Sequence, residues 1–299
     1  MAVTTLEPIG LGLERLEAMA EAGYYNPYTT FSWPDTLPTD APWMSEDLVT
    51  LAGTEEWDRM PRADQLALTR WEAIHFFSLN VHGIRDLLGE VVLRIHTPTY
   101  ADTAEFMHHF LGEENEHMWF FSRFCLRYGG KIYPAQPSIG VQATDGLGEA
   151  AHELLVFARI LLFEEIVDHF NSRMAGDDSL PPIARELNRV HHLDESRHVA
   201  FGRLMFTALL NQVRATRPAD IPIVAGYLNS YLDYSIRSLY SPAVYRDAGL
   251  AQPLALRRHL LSHPARRAAH DRMLVRTRKF LARSGLQAAG TQPGQGAPT

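Results

Sequence analysis

The stretch VHHLDESRHVAFG, residues 190–202, places three histidines, an aspartate and a glutamate within positions 191–198. His191, Glu195 and His198 follow the spacing i, i+4, i+7, so on a helix they share one face. Two imidazoles and a carboxylate converging on one face suit iron, manganese or zinc. The reading requires a helix here and helices around it, so the fold turns on the flanking sequence.

Working outward, the helical period begins at Pro61. Phe77, Val81, Ile84, Leu88, Val91 and Ile95 recur at three- and four-residue spacing and mark one helix face. Pro98 disfavours helix at Thr97 and ends that run. A second helix is expected from about Ala101 to Tyr128, stopped by Gly129–Gly130. Residues 131–146 carry Pro134, Pro137, Gly140 and Gly146 and read as a long crossover loop. A third helix is expected over 147–174 and a fourth from Pro182 to about 213, with further helices at 219–240 and 263–284. No two alternating apolar runs are joined by a tight turn, so strands are not expected. Two antiparallel helix pairs joined by a long connection give an all-α, ferritin-like four-helix bundle with extra N- and C-terminal helices. The expected organisation is an N-terminal arm over 1–60, the bundle over 61–284, and a disordered tail over 285–299. Within the arm, Pro, Tyr and Trp over 24–60 suggest irregular chain, with a short helix starting near Ser45.

One helix back from the histidines lies LLFEEIVDHF, residues 161–170. Reflection through the predicted turn sets Glu164 level with His191 and about one turn from Glu195. The second helix carries GEENEHMWFF, residues 112–121, in which Glu114 and His117 are spaced i, i+3, the pairing that carboxylate-bridged dimetal bundles use. A single Glu-x-x-His is usually an ordinary surface pair, and Glu164 has Arg159 and Arg173 as alternative partners. Two such units on non-adjacent helices, with Phe110, Phe121 and Phe124 placing Glu114 toward the inside, favour a metal site. Buried carboxylates without a cation are costly.

These residues resemble the ferritin-like non-haem diiron arylamine N-oxygenases, the p-aminobenzoate N-oxygenase-like family. The distinctive element is H-x-x-x-E-x-x-H at His191, Glu195 and His198, with Glu164 27 residues upstream of His191. The resemblance runs loosely over 60–284. It implies that Glu114 and Glu195 bridge two irons, that His117 caps the first, and that Glu164, His191 and His198 complete the second. It also implies one more carboxylate on the first bundle helix, expected near 79–84. That window reads LNVHGI and holds no acid. Ile84 lies on the inward stripe with Asn80 close to it, while His82, Asp86 and Glu90 lie off it. The outcomes left open are an absent ligand or one of those three turned inward.

Asp194 has two readings, an orienting partner for a ligand histidine or a surface partner for Arg197. Glu165, His169 and His192 are out of phase and read as structural. Trp119, Phe120, Phe163 and Phe201 are candidates to line a pocket or to fill the core.

Composition bounds the chemistry. The chain has 299 residues, 46% of them hydrophobic, with a formal net charge of −7 and no basic–aromatic interleaving, so nucleic acid is not an expected partner. A single cysteine excludes an internal disulfide and suits a reducing compartment, and no secretory signal or apolar span appears, so a cytoplasmic location without membrane contact is expected. Mixed nitrogen and oxygen donors disfavour an iron–sulfur cluster or a structural zinc. The expected cofactor is iron, two per chain or one, with manganese second. The expected function is an oxygenase using O2, an electron donor and a small-molecule substrate, and the resemblance suggests an amine oxidised at nitrogen. C–H hydroxylation, desaturation or oxidase work on the same site is the alternative, and a non-catalytic iron-binding bundle is the alternative of another class. A homodimer remains open.

Overall fold

The computed structural model describes residues 10–137 and 146–286. Among the described residues there are twelve α-helices and no strand. They are α1 (Gly10–Gly23), α2 (Pro27–Thr30), α3 (Glu55–Arg59), α4 (Arg62–Val92), α5 (Ala104–Phe124), α6 (Glu149–Ala175), α7 (Pro182–Thr216), α8 (Ile221–Ser238), α9 (Pro242–Asp247), α10 (Pro253–Ser262), α11 (Pro264–Met273) and α12 (Val275–Arg283). The chain is an all-α bundle, and none of these helices is long and apolar enough to cross a membrane.

The four long helices make the bundle. α4 and α5 are joined by a short connection and packed antiparallel, with Phe77 stacked on Phe121 at 4.8 Å and edge-on to Phe124 at 4.8 Å. α6 and α7 form the second antiparallel pair. The long crossover between the pairs sets α6 against α4, where Phe76 stacks on Phe170 at 4.8 Å. It also sets α5 against α7, where Phe106 meets Phe201 at 4.6 Å. α5 ends in a π turn, Cys125–Gly129, closed by Gly130 at φ +69°. A left-handed residue there is what glycine tolerates. Cys125 is fully buried at the start of that turn, against Ile74 and Ser78.

The arm differs from expectation. No helix starts at Ser45, whose hydroxyl bonds Asp177 Oδ2 at 2.6 Å and is spent on the α6–α7 turn. The helix starts at Glu55 instead, where Thr54 Oγ1 accepts from Trp57 N. Extra N-terminal helices were expected, but none was placed at 10–23, where Gly10 and Gly12 weaken the propensity of α1. It forms because Leu13, Leu16 and Ala20 are buried where it packs on α5 and α7. At the other end, the helix expected at 263–284 is two helices broken at Leu274, and α9 and α10 precede them. Of the tail expected at 285–299, residues 287–299 lie outside the described residues, and Leu286 is buried.

Away from the bundle centre, Glu72 is buried on α4 and accepts hydrogen bonds from Thr50 N at 2.8 Å and from the Thr50 hydroxyl. Burial pushes its carboxyl up to about 7, against the opposing Thr50 bonds and Arg266. The folded state therefore holds a proton that the unfolded chain releases near 4.5. Stability from this group is complete below that value and falls as pH rises toward 7, by about 3 kcal/mol in all. Glu72→Gln is expected to flatten that decline in urea unfolding measured from pH 4.5 to 8. An unchanged slope would show that Glu72 is ionised throughout.

Candidate metal centre

Three helices deliver six side chains to one buried point. α5 contributes Glu114 and His117, α6 contributes Glu164, and α7 contributes His191, Glu195 and His198, all at most 1% exposed. One donor atom from each of Glu114, His117, Glu195 and His198 lies within 4.8 Å of the others. His198 Nδ1 is 2.9 Å from Glu114 Oε1 and 3.4 Å from Glu195 Oε2. His117 Nδ1 is 3.1 Å from Glu114 Oε1 and 3.8 Å from Glu195 Oε1. His191 Nε2 is 3.0 Å from Glu195 Oε1. Burial raises Glu164 well above the usual carboxylate range, and the Glu195 and Glu114 charges add to the rise.

The height assigned to Glu164 needs correction. Asn171, not Glu164, meets His191. Gly202 faces Leu161, which sets Glu164 opposite His198. Helical side chains lean toward the N-terminus of their own helix, so contacts between antiparallel helices fall a few residues beyond a backbone reflection. The offset from His191 to His198 is seven residues, about two turns, and Glu164 still reaches the cluster.

Each histidine has one nitrogen turned to the carboxylates and the other held from outside. His117 Nε2 donates to Asp194 Oδ2 at 3.0 Å. His198 Nε2 donates to Glu113 Oε2 at 2.7 Å. His191 Nδ1 abuts the Asn171 carboxamide. Arg197 ties the two acids together, 2.6 Å from Asp194 Oδ1 and 2.5 Å from Glu113 Oε1. Asp194 is buried, so the orienting reading holds and the surface reading fails; Arg197 pairs with its other oxygen in the interior. Glu113 and Asn171 were missed in the sequence. The first sits next to a candidate ligand, and only the bundle geometry reveals its direction.

Burial alone would lower His117, but Glu114 and Asp194 outweigh it and hold the ring up to about 10. Burial alone would raise Glu195, yet His191 and His198 hold it well below the usual range. The side chains thus need compensating positive charge at this point. Both oxygens of Glu164 and of Glu195, Glu114 Oε2, His191 Nε2 and His198 Nδ1 are buried without a well-formed hydrogen bond. Such groups are normally satisfied, and a cation satisfies oxygen and imidazole donors together. The donor set fits iron, with manganese second.

The residues judged off the stripe stay off it. His82 Nε2 is bonded to Tyr133 O at 2.7 Å, Asp86 pairs with Arg85 at 2.9 Å, and Glu90 pairs with Arg94 at 2.8 Å. Glu165 pairs with Arg203, and His192 with Asp168. Of the aromatic candidates, Phe163 lines a cavity of ≈ 120 Å³ between α4, α6 and α8. The others pack elsewhere, Trp119 against Tyr28, Phe120 against Phe31 and Phe201 against Phe106.

The family described as p-aminobenzoate N-oxygenase AurF matches residues 12–285. This chain belongs to the AurF family. Like its family, it is an O2-dependent oxidoreductase, a non-haem dimetal oxygenase. A search of curated proteins finds no match to the chain. Among solved structures, a mutant R2-like ligand-binding oxidase with an aerobically reconstituted Mn/Fe cofactor is 14% identical, with a TM-score of 0.47, covering 89% of this chain and 94% of that one. A second such mutant, anaerobically reconstituted, is 13% identical at a TM-score of 0.47, covering 93% and 94%. The AurF match takes in all six buried side chains and extends through α1 to α12.

Proposed function

We propose that this chain oxidises a small amine at nitrogen, with two irons held by Glu114, His117, Glu164, His191, Glu195 and His198. The observation that carries the ligand reading is the set of converging buried carboxylate oxygens and imidazole nitrogens that make no well-formed hydrogen bond. When bound, the metal pair supplies the O2 and redox chemistry, with electrons from an external donor. The protein's own part is to fix the imidazoles through Asp194, Glu113 and Asn171, to keep water out, and to seat the substrate. Nitrogen as the oxidised atom rests on the family's name.

The cavity beside Phe163 is the proposed substrate seat. Its wall is largely apolar, with Phe76, Leu87, Ile160, Phe163 and Val167. Apolar cavities of ~150 Å³ accept a benzene-sized guest. Gly83 makes room there, since a Cβ at that position would lie 2.3 Å from the Phe163 ring. Among the charged groups on the wall, Asp86 and Glu90 are paired with arginines, whereas Arg159 has no carboxylate partner among the described residues. Its guanidinium lies 5.6 Å from the Tyr231 ring. Arg159 hydrogen-bonds Tyr231, and its buried Nε has no hydrogen-bond partner, which leaves it a donor for an anionic end of the substrate.

The test is turnover of iron-loaded protein with O2, a chemical reductant and small arylamines, read by mass for nitrogen–oxygen bonds labelled from ¹⁸O2. Labelled hydroxylamine or nitro product is expected. Oxygen inserted only into carbon would overturn the nitrogen assignment, and no labelled product would favour an iron-binding protein without this activity. Arg159→Met is expected to raise KM about tenfold or more for a substrate bearing a carboxylate and to spare a neutral one. Equal effects on both would remove Arg159 from recognition.

A further inference from the structure

Three bundle helices bring charged or imidazole donors to the centre, and α4 brings none. Its inward residues Phe77, Asn80, Ile84 and Val91 are at most 1% exposed. Side-chain contacts fix the heights. Phe77 on Phe121 sets His117 opposite position 81 and Glu114 opposite position 84. Phe163 against Gly83, and Phe170 on Phe76, set Glu164 opposite position 82. Asn80 and Ile84 therefore bracket the centre, each within about 3 Å of it in height at 1.5 Å per residue.

Only one of the two has a donor to offer. Asn80 Nδ2 gives its hydrogen to Phe76 O at 2.8 Å, which settles which end of the carboxamide is nitrogen. The other end, Oδ1, is buried and has no hydrogen-bond partner. Asparagine held this way keeps a free oxygen lone pair one helix across from His117.

Charge then decides how well two metals are held. Glu114, Glu164 and Glu195 supply three negative charges, and two divalent cations bring four positive ones. Outside them, Glu113 and Asp194 carry two negative charges against the one positive charge of Arg197, and they reach the centre only through His198 and His117, not as donors to a metal. A carboxamide adds a dipole without a charge, so the second cation enters a buried site short of anionic donors, which is costly.

We propose that Asn80 Oδ1 is the α4 ligand of the dimetal centre and that the two metals are held with unequal affinity, the weaker one beside Asn80. The proposal rests on the ligand reading above. The readout is anaerobic titration of metal-free full-length protein with ferrous iron, followed by calorimetry and by metal content per chain. Wild type is expected to take one tight equivalent and one about tenfold weaker or more. Asn80→Asp is expected to tighten the weaker equivalent about tenfold. Asn80→Leu, of similar volume and uncharged, is expected to abolish the weaker equivalent and keep the tight one. Circular dichroism confirms that each variant is folded, and Asn80→Leu alone decides the matter if the aspartate variant does not fold. Two equally tight irons in wild type, or a weaker equivalent untouched by Asn80→Leu, would overturn the proposal. So would tightening by Ile84→Glu but not by Asn80→Asp. Wild type that binds no iron at all would overturn the six-ligand reading instead.

Discussion

Replacing His198 with alanine is expected to strip the protein of most of its iron. His198 Nδ1 faces Glu114 and Glu195, its Nε2 is anchored on Glu113, and the ring is packed 4.5 Å from Phe110. Losing an outer partner of a ligand costs ~10–100-fold in metal affinity, and losing the ligand itself is expected to cost more than about 100-fold. The fold should survive, because glutamates relieved of a cation take up protons instead. Metal content per chain by elemental analysis, with circular dichroism alongside, gives the answer. A helical His198→Ala protein carrying as much iron as wild type would sink the ligand assignment.

The second large effect is expected from Phe77→Ala. Phe77 is fully buried between Phe121 and Phe124 and carries the α4–α5 packing. Truncating such a ring costs about 3–5 kcal/mol, which for a domain of this size lowers the melting temperature by about 10 °C. The loss should also reach the centre, because the Phe121 ring lies 4.9 Å from the His191 ring. A cavity behind Phe121 lets His191 turn, so iron should dissociate faster from Phe77→Ala than from wild type. Melting within about 2 °C of wild type would show that α4 is held to α5 by other contacts.

The bundle was legible because its signals are periodic and local. The 3.6-residue stripe through Phe77 and Ile84, the prolines at 61 and 182 and the glycines at 129–130 each mark a boundary by backbone sterics that act within a few residues. Five of the candidate ligands were legible because i, i+3 and i, i+4 spacings convert directly into shared faces, whereas Glu164, alone on α6, was reached by reflection through the turn and by the resemblance. What the chain did not disclose depends on contacts between distant segments. α1 has a glycine-weakened start and is stabilised by burial against α5 and α7. Ser45 looks like a cap and serves Asp177. Glu113 lies beside Glu114 and turns to a different helix, a choice made by Arg197 and His198 rather than by its own neighbours. The Glu164 height was off by about two turns, because a reflection of backbones fixes neither the true midpoint of the turn nor the lean of the side chains.

The burial of Cys125 bears on how such a protein tolerates its own chemistry. It is the only thiol in the chain, fully enclosed under Ile74 and Ser78, and burial pushes it up to about 12. At neutral pH almost none of it is thiolate, the form that oxidants attack. Reactive oxygen escaping a catalytic cycle would meet no thiolate on the surface. Copies of the chain would have no route to covalent cross-linking through sulfur. Inactivation during turnover should therefore be sought as damage to methionine, histidine or aromatic side chains, and thiol reductants should give little protection.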